Sequence, residues 1–449
     1  PGDLDPTFGT GGVHAPAPYQ ANETASAGTG TAERWVTGVA VRGGSAGHLY
    51  VAKFNASGAL DAAFGNGGKA MLRWDHASGG AAIARQADGK IVVAGSAWVG
   101  SITKMLVVRF NADGTLDTAF GTNGATTVNP FGYSTATALS IAPDGKIVVV
   151  GYAVQGSSDM VVFRVTSTGT LDPAFGTGGV KTLDFRGGMD FAAGVQVLGD
   201  GKVLVAGSGA QSAANANFDF AVARLNADGS VDTGFGPLGH DGLALYDVGG
   251  AYDSATDLGF HGASPVLLGS STRVGQAKSE LSVLKLTAGG LADAAFGTGG
   301  AAFVAATGSL NAGRMAVLAD GKVVVSSTSR LLARLTAAGA LDAAFGTAGV
   351  QQETEPSLLS YSTLLPGGDG TIMAIASRYL YAPQYTTDAA LVRYTATGTR
   401  DGSFGASGIA SANLFTMSLD ARAVAIGPTG KVHVAGTLSD AHDIDAAVV

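Results

Sequence analysis

The motif Asp-x-x-Phe-Gly occurs eight times along this 449-residue chain, and its spacing restricts the fold more than any other feature. Successive Phe residues of the motif are 49 to 61 residues apart, and the copies extend from one end of the chain to the other. A period of this length is typical of arrays in which one supersecondary unit is repeated. We therefore expect residues 1–449 to form a single domain. The eight pairs are Asp5/Phe8, Asp61/Phe64, Asp117/Phe120, Asp172/Phe175, Asp232/Phe235, Asp293/Phe296, Asp342/Phe345 and Asp401/Phe404.

The unit is clearest in residues 136–182. Two β-rich runs flank Asp144-Gly145, and Asp-Gly in that setting is a strong hairpin signal. A third run begins at Asp159, and a fourth begins at Val180, after the Phe-Gly motif. No segment has helical periodicity. Four short strands per repeat predict an all-β propeller of four-stranded antiparallel blades. A parallel solenoid is disfavoured, because hairpin-joined antiparallel strands do not build one.

The two ends of the chain fall within a repeat unit. Residues 1–13 contain the start of a fourth strand, and residues 446–449 lie inside a third strand. We expect residues 405–449 and 1–13 to form one blade together. The N-terminal strand would then complete the C-terminal blade and close a ring of eight blades without exposed edge strands.

The recurring residues predict a structural turn. The Asp should accept backbone N–H bonds, and the Phe should pack between neighbouring blades. A basic residue eight positions before the Asp predicts an ion pair within each blade. Residues 111–117 resemble a calcium loop, but other copies lose the ligand side chains while keeping the turn. The residues assigned this structural role are Asp61, Phe64, Asp117, Phe120, Asp172, Phe175, Asp232 and Phe235, with Arg109, Arg164 and Arg224.

Composition narrows the choice of partners. The formal net charge is −8 and the basic residues are dispersed, so nucleic acid is not an expected partner. The chain has no Cys, which leaves it without disulfides or a thiolate metal site. The longest apolar runs, such as Ile147–Val150, are too short to span a bilayer. A surface low in Lys and rich in Gly, Ala and Thr favours a secreted or cell-surface bacterial protein.

Two motifs together resemble the delta-60 repeat family. The pattern Gly-x-Leu-Asp-x-x-Phe-Gly-x-x-Gly stands at residues 114–124, and Asp-Gly-Lys-Ile-Val-Val-Val-Gly stands at residues 144–151. Copies of this combination cover essentially the whole chain. The resemblance implies a β-propeller of the kind found in secreted or cell-surface bacterial proteins. It supplies no catalytic residues to carry over.

Function is expected in the loops where the repeats differ. Aromatic residues mixed with carboxylates and Arg suit binding to a protein or carbohydrate surface. The predicted ligand-binding residues are Trp74, Asp75, His76, Arg186, Asp190, Tyr252, Asp253, Arg378, Tyr379, Tyr381 and Tyr385. For each of them, the competing interpretation is an ordinary exposed loop residue without a binding role.

Metal and catalytic signals are weak. Asp440, His442 and Asp443 could hold Ca²⁺, the one cofactor that the sequence suggests. An acidic residue recurs at the neighbouring position of Asp445 in other repeats, which favours a structural role there; these residues are Asp159, Asp219, Glu280 and Asp388. No zinc-protease or nucleophile-elbow motif is present. We expect a binding or structural module. A glycan hydrolase or lyase acting at the channel mouth and a self-assembling surface protein remain alternatives, and the oligomeric state is open.

Overall fold

The computed structural model describes residues 20–28, 34–41, 48–54, 62–66, 69–72, 78–237, 241–306, 308–367, 369–380, 386–405, 407–411, 418–426, 432–439 and 444–448. Every regular element in these ranges is a β-strand. The strands form seven four-stranded sheets and one three-stranded sheet, each an antiparallel meander in chain order. The prediction of an all-β fold built from four-stranded antiparallel sheets is confirmed.

The first four sheets contain sixteen strands. They are β1 (Gln20–Gly28), β2 (Arg34–Val41), β3 (His48–Phe54) and β4 (Lys69–Met71); β5 (Ser78–Arg85), β6 (Ile91–Val99), β7 (Ile102–Phe110) and β8 (Ala125–Val128); β9 (Ser134–Ile141), β10 (Ile147–Gln155), β11 (Ser157–Val165) and β12 (Val180–Leu183); and β13 (Asp190–Val197), β14 (Val203–Ser212), β15 (Asn215–Leu225) and β16 (Leu243–Tyr246).

The remaining four sheets complete the described strands. They are β17 (Gly250–His261), β18 (Ser264–Arg273), β19 (Ser279–Lys285) and β20 (Ala301–Val304); β21 (Ala312–Val317), β22 (Val323–Ser327), β23 (Leu331–Leu335) and β24 (Val350–Gln352); β25 (Leu358–Pro366), β26 (Ile372–Leu380), β27 (Thr386–Tyr394) and β28 (Ile409–Ser411); and the three-stranded β29 (Ser418–Ile426), β30 (Val432–Ser439) and β31 (Ile444–Val448).

Each sheet packs face to face on the next one along the chain. The first strand of a sheet contacts the strands of the preceding sheet, as β13 does with β9, β10 and β11. The second and third strands therefore have a neighbouring sheet on both faces. This explains their continuous apolar runs, since a strand covered on two sides has no polar face; β22 and β23 are buried along their whole length.

A glycine in the second strand of four successive sheets lies opposite a β-bulge in the first strand; these glycines are Gly95, Gly151, Gly207 and Gly269. At Gly207 an added Cβ atom would lie 2.0 Å from the carbonyl oxygen of Phe191. The close backbone approach, and not a special dihedral angle, therefore requires glycine after the three apolar residues that recur in this strand.

The Asp of the repeated motif lies at the centre of an ion-pair cluster that we call the clasp. Nε of Arg164 donates to Oδ2 of Asp172 at 2.8 Å, and both side chains are buried. Oδ1 of Asp172 accepts the Ala174 N–H at 3.1 Å. The Lys of the Asp-Gly-Lys hairpin reaches the same carboxylate, with Lys146 Nζ 3.3 Å from Asp172 Oδ2. The two halves of the sequence pattern therefore meet at one carboxylate.

The clasp also joins neighbouring sheets, which the prediction of an ion pair within a blade did not include. Arg164 donates from Nη1 to the carbonyl of Ala227, in the corresponding turn of the next sheet. Its guanidinium carbon lies 4.7 Å from the ring centroid of Phe175, which is fully buried. Gly176 N then donates to Asp228 O at 2.7 Å across the same junction. The same guanidinium–ring stacking recurs for the pairs Arg109/Phe120, Arg224/Phe235, Arg334/Phe345 and Arg393/Phe404.

The predicted pairing of residues 1–13 with the C-terminal sheet lies outside the described residues. The same holds for Asp5, Phe8 and Asp61 of the repeated motif. Phe64 is described and is fully buried, like the other Phe residues of the motif at positions 120, 175, 296 and 345.

We expect Gly207→Ala to lower the free energy of unfolding by about 3 kcal/mol, because the new Cβ atom has no room beside the Phe191 carbonyl. Gly199→Ala is the control in the same sheet, since an added Cβ there meets no heavy atom within 4 Å. Its effect should be below about 0.5 kcal/mol. Urea denaturation of both variants measures the difference, and equal midpoints would contradict the bulge explanation.

We expect Asp172→Asn to cost about 3 kcal/mol of unfolding free energy, because it leaves the buried Arg164 guanidinium without its anion. Asp144→Asn is the matched control. Its carboxylate is 56% exposed and lies 3.4 Å from Lys146. That change should cost less than about 1 kcal/mol. Guanidinium chloride denaturation compares the two, and a control as costly as the clasp variant would refute the central role of Asp172.

Stability should fall at acidic pH because of the clasp carboxylates. Burial acts to raise the pKa of Asp117, but hydrogen bonds from Lys90 and Arg109 and their positive charges outweigh it, so the pKa lies below its ordinary value. The pKa of Asp232 is lowered in the same way. At Asp172 and Asp342, the N–H groups of Ala174 and Ala344 and then the Arg and Lys side chains outweigh burial and lower the pKa. A depressed folded-state pKa gives stabilisation that is complete above the ordinary Asp value of about 4 and is lost as pH falls through the folded value.

The test is to measure the free energy of unfolding between pH 6 and pH 3. Above about pH 5, these carboxylates should add no pH dependence to the free energy of unfolding. Asp172→Asn should show a smaller acid loss than the wild-type protein. An identical acid loss in the two proteins would be evidence against the clasp as its source.

Candidate ligand-binding face

The loops that join consecutive sheets meet the second-to-third-strand hairpins at one edge, which we call the loop edge. Ala210 N, near the end of β14, donates to Met189 O, just before β13, at 2.8 Å. The same contact joins Val154 N to Tyr133 O one sheet earlier. The clasps lie at the opposite edge, in the third-to-fourth-strand turns. The loop edge is where the repeats differ most in sequence, and it collects the acidic and aromatic residues described next.

Asp159, Asp184 and Asp190 form the first acidic cluster. Each contributes a carboxylate oxygen, and these oxygens all lie within 4.8 Å of one another. Asp159 lies in β11, Asp184 follows β12, and Asp190 begins β13, so the cluster spans the junction of two sheets. Asp184 is exposed, Asp159 is half-buried and Asp190 is 0% exposed, which gives the cluster an open mouth and a closed floor.

The carboxylate of Asp190 is unusually placed. Oδ2 accepts the Phe185 N–H at 3.0 Å. Oδ1 is buried and has no hydrogen-bond partner among the described residues. Burial, together with the negative charges of Asp184 and Asp159, raises the pKa of Asp190 to about 7. The floor of the cluster is thus a buried acceptor in a strongly negative environment.

Asp219, Asp247 and Asp253 form the second acidic cluster, one sheet further along. Asp253 is 0% exposed, and its Oδ2 accepts the N–H groups of Val248 and Gly249 at 3.0 and 3.1 Å. Burial and the charges of Asp247 and Asp253 raise the pKa of Asp219 to about 6. Arg186 acts on Asp219 in the opposite direction, so a positive charge lies near this second cluster.

The other junctions serve as internal comparisons. Ser78 and Ser134 occupy the position of Asp190, and each accepts a backbone N–H through Oγ, from Leu49 and Met105 respectively. Strand pairing places Lys104 and Glu280 at the position of Asp159. Glu280 is neutralised by Arg273, whose Nε lies 2.6 Å from Oε2. Among the described residues, the triple-Asp arrangement therefore occurs at two junctions and is not part of the general repeat.

A row of aromatic rings contains residues that are next in sequence to members of both clusters. Tyr152 contacts Phe191 edge-on at a centroid distance of 5.1 Å, and Phe191 lies 5.9 Å from Phe218. Phe218 in turn contacts Tyr252 at 5.7 Å. The row extends from the third sheet to the fifth and ends in Tyr252, which is 44% exposed.

Large apolar side chains project from the same edge. Tyr133, Met189 and Tyr252 each stand directly before the first-strand position occupied by Ser134, Asp190 and Asp253, and all three are exposed. Trp98, at the end of β6, is also exposed. A surface of exposed aromatics flanked by carboxylates is suited to a ligand that is apolar in part and positively charged in part.

The structure brings together four of the predicted binding residues. Asp190 and Asp253 are buried members of the two clusters, and Tyr252 ends the aromatic row. Arg186 is exposed, and its charge acts on Asp219 of the second cluster. The strand positions of Arg378 and Tyr379 are in β26, but their side chains lie outside the description. The rest lie outside the described residues; they are Trp74, Asp75, His76, Tyr381 and Tyr385, together with the weak metal candidates Asp440, His442 and Asp443.

Asp184 and Asp247 were not predicted. A local signal does exist, since Asp184 and Asp247 each stand six residues before the buried Asp, with a Gly-Gly pair between them. Asp159 and Asp219 were interpreted only as recurring strand-start residues. Their second role depends on a loop partner that the recurrence alone does not reveal.

Comparisons with known proteins agree with this architecture. Residues 86–120, 142–175, 198–235 and 318–345 match the family described as a domain of unknown function (DUF5122) beta-propeller. No curated protein sequence matches the chain significantly. The fold is that of a β-propeller.

Solved structures share the fold at low sequence identity. Sqt1 from Chaetomium thermophilum matches with a TM-score of 0.53 and 10% identity, over 96% of each chain. The Dos1 propeller matches with a TM-score of 0.52 and 11% identity, over 97% of this chain and 93% of that one. A puromycin hydrolase S511A mutant complexed with PGG gives 0.48 and 13%, over 94% of this chain and 59% of that one. No helix in the described part of the chain could cross a membrane.

Proposed function

We propose that this chain is a binding module that holds a polypeptide segment against the loop edge. The observation that carries the proposal is the set of exposed side chains Trp98, Tyr133, Met189 and Tyr252, which lie at one edge next to the acidic clusters. Exposed aromatic and Met side chains are the residue types enriched in protein interfaces. The neighbouring carboxylates favour a segment that carries Lys or Arg beside its apolar residues.

The same electrostatics disfavour nucleic acid as a partner. Six carboxylates stand in the two clusters, and a phosphate backbone approaching them would meet like charge. Carbohydrate is the other partner that the aromatic residues would suit. A polypeptide is preferred because the carboxylates add a charge preference that a neutral glycan cannot use.

The competing proposal of a glycan hydrolase or lyase gains little from the converging carboxylates. Asp190 and Asp253 are each 0% exposed, so a polymeric substrate could not touch them. A general acid must lie within hydrogen-bond reach of the atom that it protonates. The buried floor of each cluster is accessible only to something much smaller than a sugar.

We also propose that the propeller is a closed ring of eight blades of the delta-60 type. Three observations support this: the eightfold motif, the seven four-stranded sheets with one three-stranded sheet, and the contacts that β1 makes with β29, β30 and β31. Those contacts repeat the pattern by which each first strand packs on the preceding sheet. Residues 1–13 would add the fourth strand to the last sheet. A secreted or cell-surface location in bacteria, which rests on composition and resemblance, remains part of the same proposal.

The binding proposal is tested with an array of random peptides probed by the labelled full-length protein. We expect peptides that combine aromatic or aliphatic residues with Lys or Arg to be selected, with weaker binding at high salt. A double variant, Trp98→Ser with Tyr252→Ser, should lower the affinity for a selected peptide at least about tenfold, because buried aromatic anchors carry much of the energy of an interface.

Leu291→Ser is the matched control, since Leu291 is also exposed, at 52%, but follows β19 at the clasp edge. It should leave the affinity unchanged. Equal losses in the control and the double variant would refute the assignment to the loop edge. If the protein binds to a glycan array and selects no peptide, the partner is a carbohydrate and the polypeptide proposal is wrong.

A further inference from the structure

We propose that the first acidic cluster, Asp159, Asp184 and Asp190, is a binding site for a hard divalent cation, with Ca²⁺ preferred. Its three carboxylates are the ligands that such ions take, and no nitrogen or sulfur donor belongs to the cluster. Calcium tolerates irregular oxygen geometry, whereas Mg²⁺ demands a near-ideal octahedron. The site lies beside the proposed polypeptide interface, and cation binding to it can be measured without any peptide.

The dimensions of the cluster suit such an ion. Oxygens bound to Ca²⁺ lie about 2.3–2.6 Å from it, so two ligands on opposite sides are about 5 Å apart. The three carboxylate oxygens all lie within 4.8 Å of one another. Separations of this size allow one ion to contact a carboxylate oxygen of each residue.

The buried carboxylate is the second, independent observation. Asp190 is 0% exposed and its Oδ1 has no hydrogen-bond partner in the described structure. A buried acceptor without a partner is costly, and an ion that coordinates it would remove that cost. The absence of a side chain at Gly209 leaves room for this oxygen, since an added Cβ atom there would lie 2.6 Å from it.

Neighbouring junctions show how the same position is satisfied when the acidic partners are absent. At Ser78 and Ser134 a hydroxyl replaces the carboxylate and accepts a backbone N–H. Serine is thus compatible with this position of the fold. Where the strand-start acid is Glu280, Arg273 supplies the compensating positive charge.

The second acidic cluster has the same three-carboxylate arrangement, and Oδ1 of Asp253 is also buried without a hydrogen-bond partner in the described structure. Its buried carboxylate is better satisfied, because Oδ2 of Asp253 accepts the N–H groups of Val248 and Gly249. In the described structure, Oδ2 of Asp190 accepts one such N–H, from Phe185. The first cluster therefore has fewer hydrogen-bond donors at its buried carboxylate, and we assign the tight site to it.

The test uses the full-length protein, freed of metal with a chelator and then titrated with CaCl₂ in a calorimeter. We expect one tight equivalent in the wild-type protein. At a hundredfold excess of Ca²⁺ over its dissociation constant, the melting temperature should rise by roughly 3 °C for a chain of this size. MgCl₂ should give a clearly smaller rise. Absence of any heat or shift would overturn the proposal, and an equal or larger response to Mg²⁺ would overturn the preference for calcium.

Asp190→Ser should abolish the tight equivalent and the thermal shift. In chelator it should melt no lower than the wild-type protein, because serine is the native residue at the equivalent junctions. Asp200→Ser is the matched control, an exposed carboxylate in the hairpin between β13 and β14 at the clasp edge. It removes the same charge and should keep full calcium binding.

Two further variants keep the result interpretable. Asp184→Ser removes the exposed member of the cluster and should weaken calcium binding at least about tenfold, even if Asp190→Ser fails to fold. Asp253→Ser, in the second cluster, should keep the tight equivalent. Calcium binding of unchanged affinity in Asp190→Ser or Asp184→Ser, or binding that is lost only in Asp253→Ser, would overturn the assignment. None of these results requires a peptide ligand, so they stand apart from the polypeptide test.

Discussion

In each repeat whose motif Asp is described, one carboxylate holds neighbouring sheets together. Asp172 accepts Nε of Arg164 on one oxygen and a backbone N–H on the other, while Lys146 approaches from the adjoining hairpin. The guanidinium then stacks on Phe175 and reaches into the next sheet. Because sheets in a propeller share no hydrogen-bonded strands, these side-chain links supply a polar connection that apolar packing lacks. The clasp therefore fixes the register between blades as well as the turn within one.

Much of the fold could be predicted because its signals are local and repeated. Asp-Gly hairpins, apolar runs and the Phe-Gly turn each specify a few residues, and comparing copies separates turn chemistry from ligand chemistry. The bridging role of Arg164 could not be predicted. Its second partner, Ala227, offers only a backbone carbonyl, which carries no sequence signal, and lies 63 residues further along the chain.

The candidate site was predictable only in part, for a related reason. Asp190 and Asp253 were predicted because they lie where the repeats differ in sequence and stand near aromatic residues and Arg. Their partners Asp159 and Asp219 recur too widely to indicate function alone, and Asp184 lies in a loop of variable length. Only the antiparallel pairing of β11 with β12 brings Asp159 beside Asp184. The fold brings residues from three elements together, and their spacing in the sequence gives little indication of this.

Asp residues at the two edges of the sheets have pKa values that are shifted in opposite directions. At the clasp edge, the Ala174 N–H together with Arg164 and Lys146 outweighs burial and holds the pKa of Asp172 below its ordinary range. At the loop edge, burial and neighbouring carboxylates raise the pKa of Asp190. A negative site of that kind is destabilising unless an ion or a proton neutralises it. It can persist because the clasps at the other edge secure the sheets that carry it, so the loop edge is free to vary while the clasp edge is repeated.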